Sequence, residues 1–364
     1  MKILVLTTWY PSVSDPVRAV FVRRHAQALA LHHDVTLVHL APAGTVPVAH
    51  SGEGRLRVEH ADSALTAPRE LLLGLRGARR WVRRERPDVV HTMGFSSLLF
   101  GAVAAGRTPW VHTEHWSGVT EPRSAGPMWF RARSARNVLR LPRAVTVVSS
   151  DMADSVRAFA RRGAVHVVGN VVDPATPQPR PVTDDFRLLA VGGLNAIKDP
   201  VVAVRTVRVL LDRGHDARLR WVGSGPLAAD VERAAADLGI AERVELVGAV
   251  DPADLAEHHA WSTEFLLPTR HETFCVAAAE ALAHGRPVVL GARGGQRDFV
   301  TPDVGALVAT RDPEDFADAV LDVRSRLGQE PPSVFAAGIE RDYSAPAIAA
   351  RFDEVYAAVP GLRP

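Results

Sequence analysis

Two residue types are almost missing from this chain of 364 residues. There is one cysteine, Cys275, which excludes an intrachain disulfide framework and any multi-thiolate metal site. Lysine is nearly as scarce: of 43 basic side chains only Lys2 and Lys198 are lysine. The arginine bias, with abundant alanine, fits a GC-rich, actinobacterial-looking genome in which lysine codons are rare. It leaves Lys198 as the one lysine in the interior of the sequence. Long apolar runs are also missing. The nearest approach, residues 97–106, is too short to span a bilayer. The N-terminal run Ile3-Leu4-Val5-Leu6 is too short for a signal-peptide core and reads as a buried strand entering a turn at Tyr10-Pro11. These absences predict a cytoplasmic protein without a transmembrane helix. Hydrophobic residues at 47 % and charged residues at 23 % exclude a disordered or fibrous chain.

What is present is a two-part organisation. Four prolines, Pro174, Pro177, Pro179 and Pro181, cannot sit inside a helix or a central strand, so residues 174–183 read as a stiff linker. On both sides, short β-branched runs alternate with helix-length segments. The runs fall at 3–6, 34–40, 88–91, 110–113, 144–149 and 165–169 before the linker. After it they fall at 187–191, 217–222, 243–246, 264–267, 287–290 and 306–309. This pattern predicts parallel strands with crossover helices, and hence two α/β, Rossmann-like, doubly wound domains at 1–173 and 184–343. Residues 344–364 read as a C-terminal helix packing back on the first domain. Ligands bind beyond the carboxyl ends of such sheets, so two facing sheets would hold a ligand between them.

Charge divides at the same boundary. The net charge of +2 resolves into +10 over residues 1–173 and −8 over residues 174–364. Much of the positive charge lies in two segments, Arg69 to Arg86 and Trp129 to Arg136. Both read as solvated arginine-rich helices. The interleaved Trp81, Trp129 and Phe130 also suit peripheral contact with an anionic membrane surface or an anionic acceptor. No nucleic-acid fold signature accompanies them.

The most informative stretch runs from Pro268 to Val289. A strand ends at Pro268, a loop carries Glu272, and a helix begins near Phe274, Cys275 and Val276. Gly285 stops that helix and Pro287 opens the next strand. A helix N-terminus offers free N–H groups and a partial positive charge to an anion. Glu272 stands before that terminus and Glu280 inside the helix. Carboxylates so placed can take a sugar hydroxyl and a ribose diol while a diphosphate meets the terminus. A buried carboxylate such as Glu280 needs a partner in any reading.

Glu272 and Glu280 form a Glu-x7-Glu motif, and with Phe274, Ala281, Gly285 and Pro287-Val288-Val289 the stretch resembles retaining glycosyltransferases of family 4. The remaining motifs agree in order and spacing. They are Val191-Gly192-Gly193-Leu194 with Lys198, Val222-Gly223-Ser224-Gly225-Pro226, Val244 to Gly248, and Gly294-Gly295-Gln296-Arg297-Asp298. In the first half, Tyr10-Pro11 with Pro16 to Phe21, Thr113-Glu114-His115 and Val168 to Asp173 match as well.

The resemblance implies a GT-B fold and transfer of a sugar from a nucleotide diphosphate sugar, a UDP-sugar by expectation, to a hydroxyl acceptor with retention at the anomeric carbon. The acceptor could be a surface glycan, a lipid-linked molecule or a natural product. Carried over residue by residue, Lys198 meets the donor diphosphate, Glu280 the ribose and Glu272 the donor sugar, while His115 lies near the reacting centre. Phe274, Cys275 and Val276 offer backbone N–H groups. Gly192, Gly193 and Val247 line the donor site. A fixed cation and a helix N-terminus stabilise a leaving diphosphate without reorganising. No metal or other cofactor is then required, and no Asp-x-Asp pair is present to hold a metal.

Three positions depart from the family pattern. Gly193 stands where an arginine is usual; losing one charge-assisted contact costs roughly 1.5–3 kcal/mol. Arg18 or Arg297 is expected to fill in. Ala19 replaces a glycine in the first loop, and Cys275 replaces another small residue. These departures would also suit a catalytically impaired sugar-nucleotide binder.

Overall fold

The computed structural model describes residues 1–48, 55–123, 126–131 and 133–362. They form two compact units: residues 1–171 with 343–364, and residues 172–342.

In the first unit the chain runs β1 (Lys2–Thr7), α1 (Val20–His32), β2 (Asp34–Ala41), β3 (Leu56–Asp62), α2 (Pro68–Glu85), β4 (Val89–Met93) and α3 (Leu98–Ala104). It continues through β5 (Trp110–Glu114), α4 (Ser117–Thr120), α5 (Pro127–Arg131), β6 (Ala144–Val147), α6 (Ser150–Arg157) and β7 (Val165–Val167). The seven strands are parallel, in the order β3-β2-β1-β4-β5-β6-β7. Ile3, Leu4, Val5 and Leu6 are all at most 2 % exposed. That is why β1 is a continuous apolar run: helices cover both faces of a parallel sheet.

In the second unit the order is β8 (Phe186–Val191), α7 (Pro200–Asp212), β9 (Ala217–Val222), α8 (Ala228–Asp237), β10 (Val244–Gly248), α9 (Leu255–Trp261) and β11 (Glu264–Leu267). It ends with α10 (Val276–Ala283), β12 (Val288–Gly291), β13 (Gly305–Val308), α11 (Pro313–Leu327) and α12 (Pro332–Tyr343). Its six-stranded sheet repeats the first unit's pattern, β10-β9-β8-β11-β12-β13. In both sheets the strand order reverses beside the first strand, the position at which doubly wound sheets bind ligands.

The proline-rich stretch has no regular structure and lies with the second unit. The buried Arg286 guanidinium donates to the carbonyls of Gln178 at 2.7 Å and Pro179 at 3.2 Å. The final helix, α13 (Ala345–Ala358), packs in the first unit. The Tyr356 hydroxyl lies 2.6 Å from His91 Nδ1, and Asp353 accepts from His32 and His33 at 2.6 and 2.7 Å.

The two arginine-rich segments differ. Helix α2 buries Gly74 and Ala78 and exposes Leu72 (47 %) and Leu73 (55 %) among its arginines. In the segment from Trp129 to Arg136, Ala132 lies outside the described residues. The aromatic side chains there are half-buried and packed on neighbours in their own unit. The Trp129 ring lies 4.9 Å from Phe95 and 4.7 Å from Trp116, and its indole N–H donates to the Gly118 carbonyl at 2.5 Å. Phe130 sits between the guanidinium groups of Arg123 and Arg133. An indole with a bonded N–H and two ring neighbours is committed to its own unit.

Candidate active site

In the second unit, Lys198 follows β8 and Glu272 follows β11. Their side chains meet: Lys198 Nζ is 2.5 Å from Glu272 Oε1, with 19 % and 12 % of the two side chains exposed. Burial lowers the Lys198 pKa, but the Glu272 carboxylate raises it by charge and hydrogen bond, and the net shift is upward. The ammonium is therefore charged at neutral pH. The Thr269 hydroxyl, itself buried, lies 2.8 Å from the same carboxylate oxygen and 3.1 Å from the Ile197 carbonyl. This ties the Glu272 loop to the Lys198 loop.

Two glycines make this close approach feasible. A Cβ on Gly294 (φ +119°) would stand 2.1 Å from the Glu272 carbonyl oxygen. With no side chain there, Gly295 N–H reaches that oxygen at 2.9 Å and fixes the Glu272 backbone. A Cβ on Gly223 (φ +134°) would stand 2.1 Å from the Gly192 carbonyl oxygen, which also accepts from the Trp221 indole at 2.8 Å. Gly192 in turn lies against the Lys198 stem. Gly193 is close-packed on one side: a Cβ would lie 3.2 Å from Asn195 Nδ2 and 3.6 Å from the Ser224 carbonyl. Val247 sits at a bulge in β10, where Gly248 accepts from Gly223 N–H at 2.7 Å.

Helix α10 begins at Val276. Its cap residue Cys275 holds φ 75°, ψ 63° and makes no side-chain capping bond. This left-handed conformation costs a non-glycine residue roughly 1–2 kcal/mol. The N–H groups of Ala278 and Ala279 reach the Cys275 carbonyl at 3.2 Å, which leaves those of Val276 and Ala277 without a partner inside the helix. The Cys275 thiol is buried, and burial, followed by Glu272, pushes its pKa up to about 12. It is a neutral thiol, not a nucleophile. Phe274 is buried with its ring 5.3 Å from Phe299. Glu280 is half-buried within α10 rather than a core residue, and Arg297 is exposed. An ammonium, a carboxylate and an open helix N-terminus together can receive an anion and hydrogen-bond a neighbouring hydroxyl.

Thr269 and the clamp beside it leave little trace in the sequence. Asp199, buried at φ 51°, accepts from Arg270 Nε at 3.1 Å and from Arg311 Nε at 2.7 Å. The only local hint was an acidic residue directly after Lys198.

His115, Arg18 and Ala19 belong to the first unit. Glu114, fully buried, accepts the backbone N–H groups of His115 and Trp116, each at 2.9 Å, and lies 3.2 Å from His112 Nε2. This fixes the turn at the end of β5 that carries His115. The His115 ring lies 4.5 Å from Phe21 and 5.2 Å from His25. Burial, then the neighbours His25, His112 and His91, hold its pKa well below the ordinary value, while Asn170 pulls the other way. His115 is thus neutral. Ala19 caps α1 in the left-handed conformation, φ 50° and ψ 34°, which explains why a glycine would be at home there. Arg18 is exposed and lines a pocket of its own unit.

Among the described residues, no helix is long and apolar enough to cross a membrane.

Comparison with known proteins agrees with this architecture. Residues 185–325 match the model for glycosyl transferases group 1, and residues 19–176 match that for Glycosyltransferase Family 4. A D-inositol 3-phosphate glycosyltransferase of Corynebacterium jeikeium is 30 % identical over 74 % of this chain and 72 % of its own. Another of that description, from Catenulispora acidiphila, is 31 % identical over 66 % of this chain; the match spans 65 % of its own length. A GDP-mannose-dependent alpha-(1-6)-phosphatidylinositol dimannoside mannosyltransferase of Mycobacterium tuberculosis is 29 % identical over 90 % of this chain and 88 % of its own. Among solved structures, sucrose-phosphate synthase from Thermosynechococcus elongatus superposes with a TM-score of 0.79 at 19 % identity, covering 98 % of each chain. The Anabaena protein HepE, in complex with UDP and glucose, does so at 0.75 and 17 %, covering 98 % of this chain and 100 % of its own. With two parallel α/β units of this order, the chain has the GT-B fold and belongs to glycosyltransferase family 4.

Proposed function

We propose that this protein transfers a sugar from a nucleotide diphosphate sugar to a hydroxyl acceptor, with retention at the anomeric carbon and without a metal. The observation that carries the reading is the charged Lys198, paired with Glu272 beside the open N-terminus of α10. As the glycosidic bond breaks, the leaving diphosphate gains negative charge. A fixed ammonium and oriented N–H groups stabilise that charge in place. Donor binding draws Lys198 toward the phosphates and frees Glu272 for a sugar hydroxyl. Glu280 takes the ribose, and Gly192, Gly193 and Val247 line the donor. His115 is assigned to the reacting centre as a neutral imidazole. The donor is expected to be a UDP-sugar, with GDP-mannose the first competitor to test, since a relative and a structural neighbour carry those nucleotides in their descriptions.

The test is a donor panel with a cell-lysate acceptor fraction, followed by NMR of the product's anomeric proton. Turnover with the donor's configuration kept, lost in Glu272→Ala, supports the reading. Nucleotide binding with no turnover on any donor supports an impaired sugar-nucleotide binder instead.

Helix α2 favours peripheral contact with an anionic membrane, because Leu72 and Leu73 stand exposed among arginines. Apolar insertion and headgroup attraction then act on one face. Sedimentation with phosphatidylglycerol vesicles at low salt tests this; a protein left wholly in the supernatant contradicts it.

A further inference from the structure

Three loops of the second unit meet at one carboxylate. Asp199 follows Lys198 in the loop after β8 and is 6 % exposed. Its Oδ2 accepts from Arg270 Nε at 3.1 Å, in the loop after β11. The same oxygen accepts from Arg311 Nε at 2.7 Å, in the loop between β13 and α11, and lies 2.5 Å from Arg311 Nη2.

An aspartate in front of a helix ordinarily accepts from the first N–H groups of that helix. Asp199 stands at the cap of α7 and its side chain makes no such bond. Its backbone holds φ 51° and ψ 53°, a left-handed conformation in which glycine is at home. Neither capping nor backbone preference accounts for an aspartate here. A residue held against its local preference is one whose surroundings demand it, and here the surroundings are two arginines.

The sequence neighbours show what the clamp holds. Arg270 stands two residues before Glu272, so the Asp199–Arg270 pair joins the same two loops as the Lys198–Glu272 pair. Arg270 N–H and the Thr269 hydroxyl reach the Ile197 carbonyl at 2.8 and 3.1 Å and tie those loops again. The charge that acts on the Lys198 ammonium is that of Glu272. Asp199 is bound to the arginines on either side instead.

We infer that Asp199 is a positioning residue for the donor site: paired with Arg270 and Arg311, it keeps the Lys198 and Glu272 loops in place once a bound diphosphate has opened the Lys198–Glu272 pair. The inference rests on the donor reading of Lys198. In that reading the Lys198–Glu272 pair opens on binding, whereas the Asp199 clamp stays closed in both states. Without the clamp, the diphosphate would have to order the loops itself, and that cost is subtracted from its affinity. A released Arg270 would also compete with Lys198 for the Glu272 carboxylate.

The test is a mutant cycle on the full chain, read by calorimetric titration of UDP and GDP with uridine and guanosine as controls. Asp199→Asn keeps the shape and tolerates the left-handed backbone but removes the charge. Asp199→Gly removes the side chain and relieves the backbone, so folding is not at risk from strain. Each is expected to weaken the diphosphate that wild type binds by about tenfold, with nucleoside affinity unchanged and Tm within about 3 °C of wild type. In a Lys198→Ala background the same substitutions are expected to cost less than about twofold, because no ammonium is left to position. A merely structural Asp199 would cost the same in both backgrounds. Three results would overturn the inference: unchanged diphosphate affinity in both Asp199 variants, equal losses in the two backgrounds, or a loss shared by diphosphate and nucleoside. If Lys198→Ala binds too weakly to titrate, the split between diphosphate and nucleoside in the single variants decides. Wild-type protein that binds neither diphosphate contradicts the donor reading itself. Binding lost in Lys198→Ala but kept in both Asp199 variants overturns the clamp alone.

Discussion

Lys198 Nζ stands 2.5 Å from Glu272 Oε1, and Thr269 holds the same oxygen from its other side. The one interior lysine of an arginine-dominated chain is therefore bound to the first carboxylate of the Glu-x7-Glu pair. Arginine could not replace it simply, because a planar guanidinium spreads its charge over a fork whereas an ammonium is a compact point. Lys198→Ala is expected to weaken nucleoside diphosphate binding about 10- to 150-fold, the equivalent of roughly 1.5–3 kcal/mol for a charge-assisted bond. Glu272→Gln keeps the shape and is expected to retain nucleotide binding while losing turnover. Calorimetric titration and a turnover assay read the two effects separately.

Gly193→Arg is expected to tighten nucleoside diphosphate binding by about 10-fold or more, for a gain of one charge-assisted contact. Gly193 is not among the glycines of positive φ, and the one tight contact a Cβ would make is with the Asn195 carboxamide nitrogen at 3.2 Å, which must shift by a few tenths of an ångström. The variant should therefore fold. Titration with the diphosphate against the bare nucleoside checks the claim; an equal gain for both would mean that the new side chain touches the base or ribose instead.

Cys275 is expected to resist alkylation in the native protein at pH 8, because its thiol is neutral below about 12. In the unfolded chain the same thiol returns to its ordinary pKa of 9.0 and reacts. Mass spectrometry after iodoacetamide, with and without denaturant, reads this directly. Cys275→Ala is expected to keep most of the activity; a loss of a thousandfold, on the scale of removing a catalytic nucleophile, would make the thiol a participant.

Acid is expected to destabilise the first unit. His25 and His39 are each lowered to about 4 by burial, and His91 and His115 lie well below their ordinary value for the same leading reason. Their folded pKa values are below the unfolded value of 6.5, so the unfolded chain binds more protons between these limits. Stability is then full above pH 6.5 and falls as pH drops toward 4. For His25 alone the loss is on the order of 3 kcal/mol. Calorimetry at pH 7, 6 and 5 should show a falling Tm; a flat profile would mean that these rings are already solvated.

Much of the fold can be read from the sequence because the strands are buried on both faces, as at Ile3 to Leu6 and Glu264 to Leu267. Strand β3 is harder to read. It is an edge strand, half-exposed along most of Leu56–Asp62, so polar residues such as Arg57, Glu59 and His60 hide it. The donor-side motif is legible because it is contiguous: a strand, a loop with Glu272 and a helix. Thr269 and the Asp199 clamp are not, because their meaning lies in contacts between loops some 70 residues apart in sequence. The left-handed caps at Ala19, Asp199 and Cys275 are invisible for a related reason, since each is imposed on a residue that does not favour it. The packing of Trp129 on Phe95 and Trp116 is hidden for the same reason, since it joins residues well apart in sequence.

The most direct test of the central claim, that Lys198 holds a donor diphosphate, is titration of UDP and uridine into the wild-type protein and Lys198→Ala, with GDP and guanosine as the parallel pair. The account predicts that the variant loses affinity for the diphosphate about 10- to 150-fold and none for the nucleoside. Equal affinity of wild type and variant for both diphosphates would contradict it.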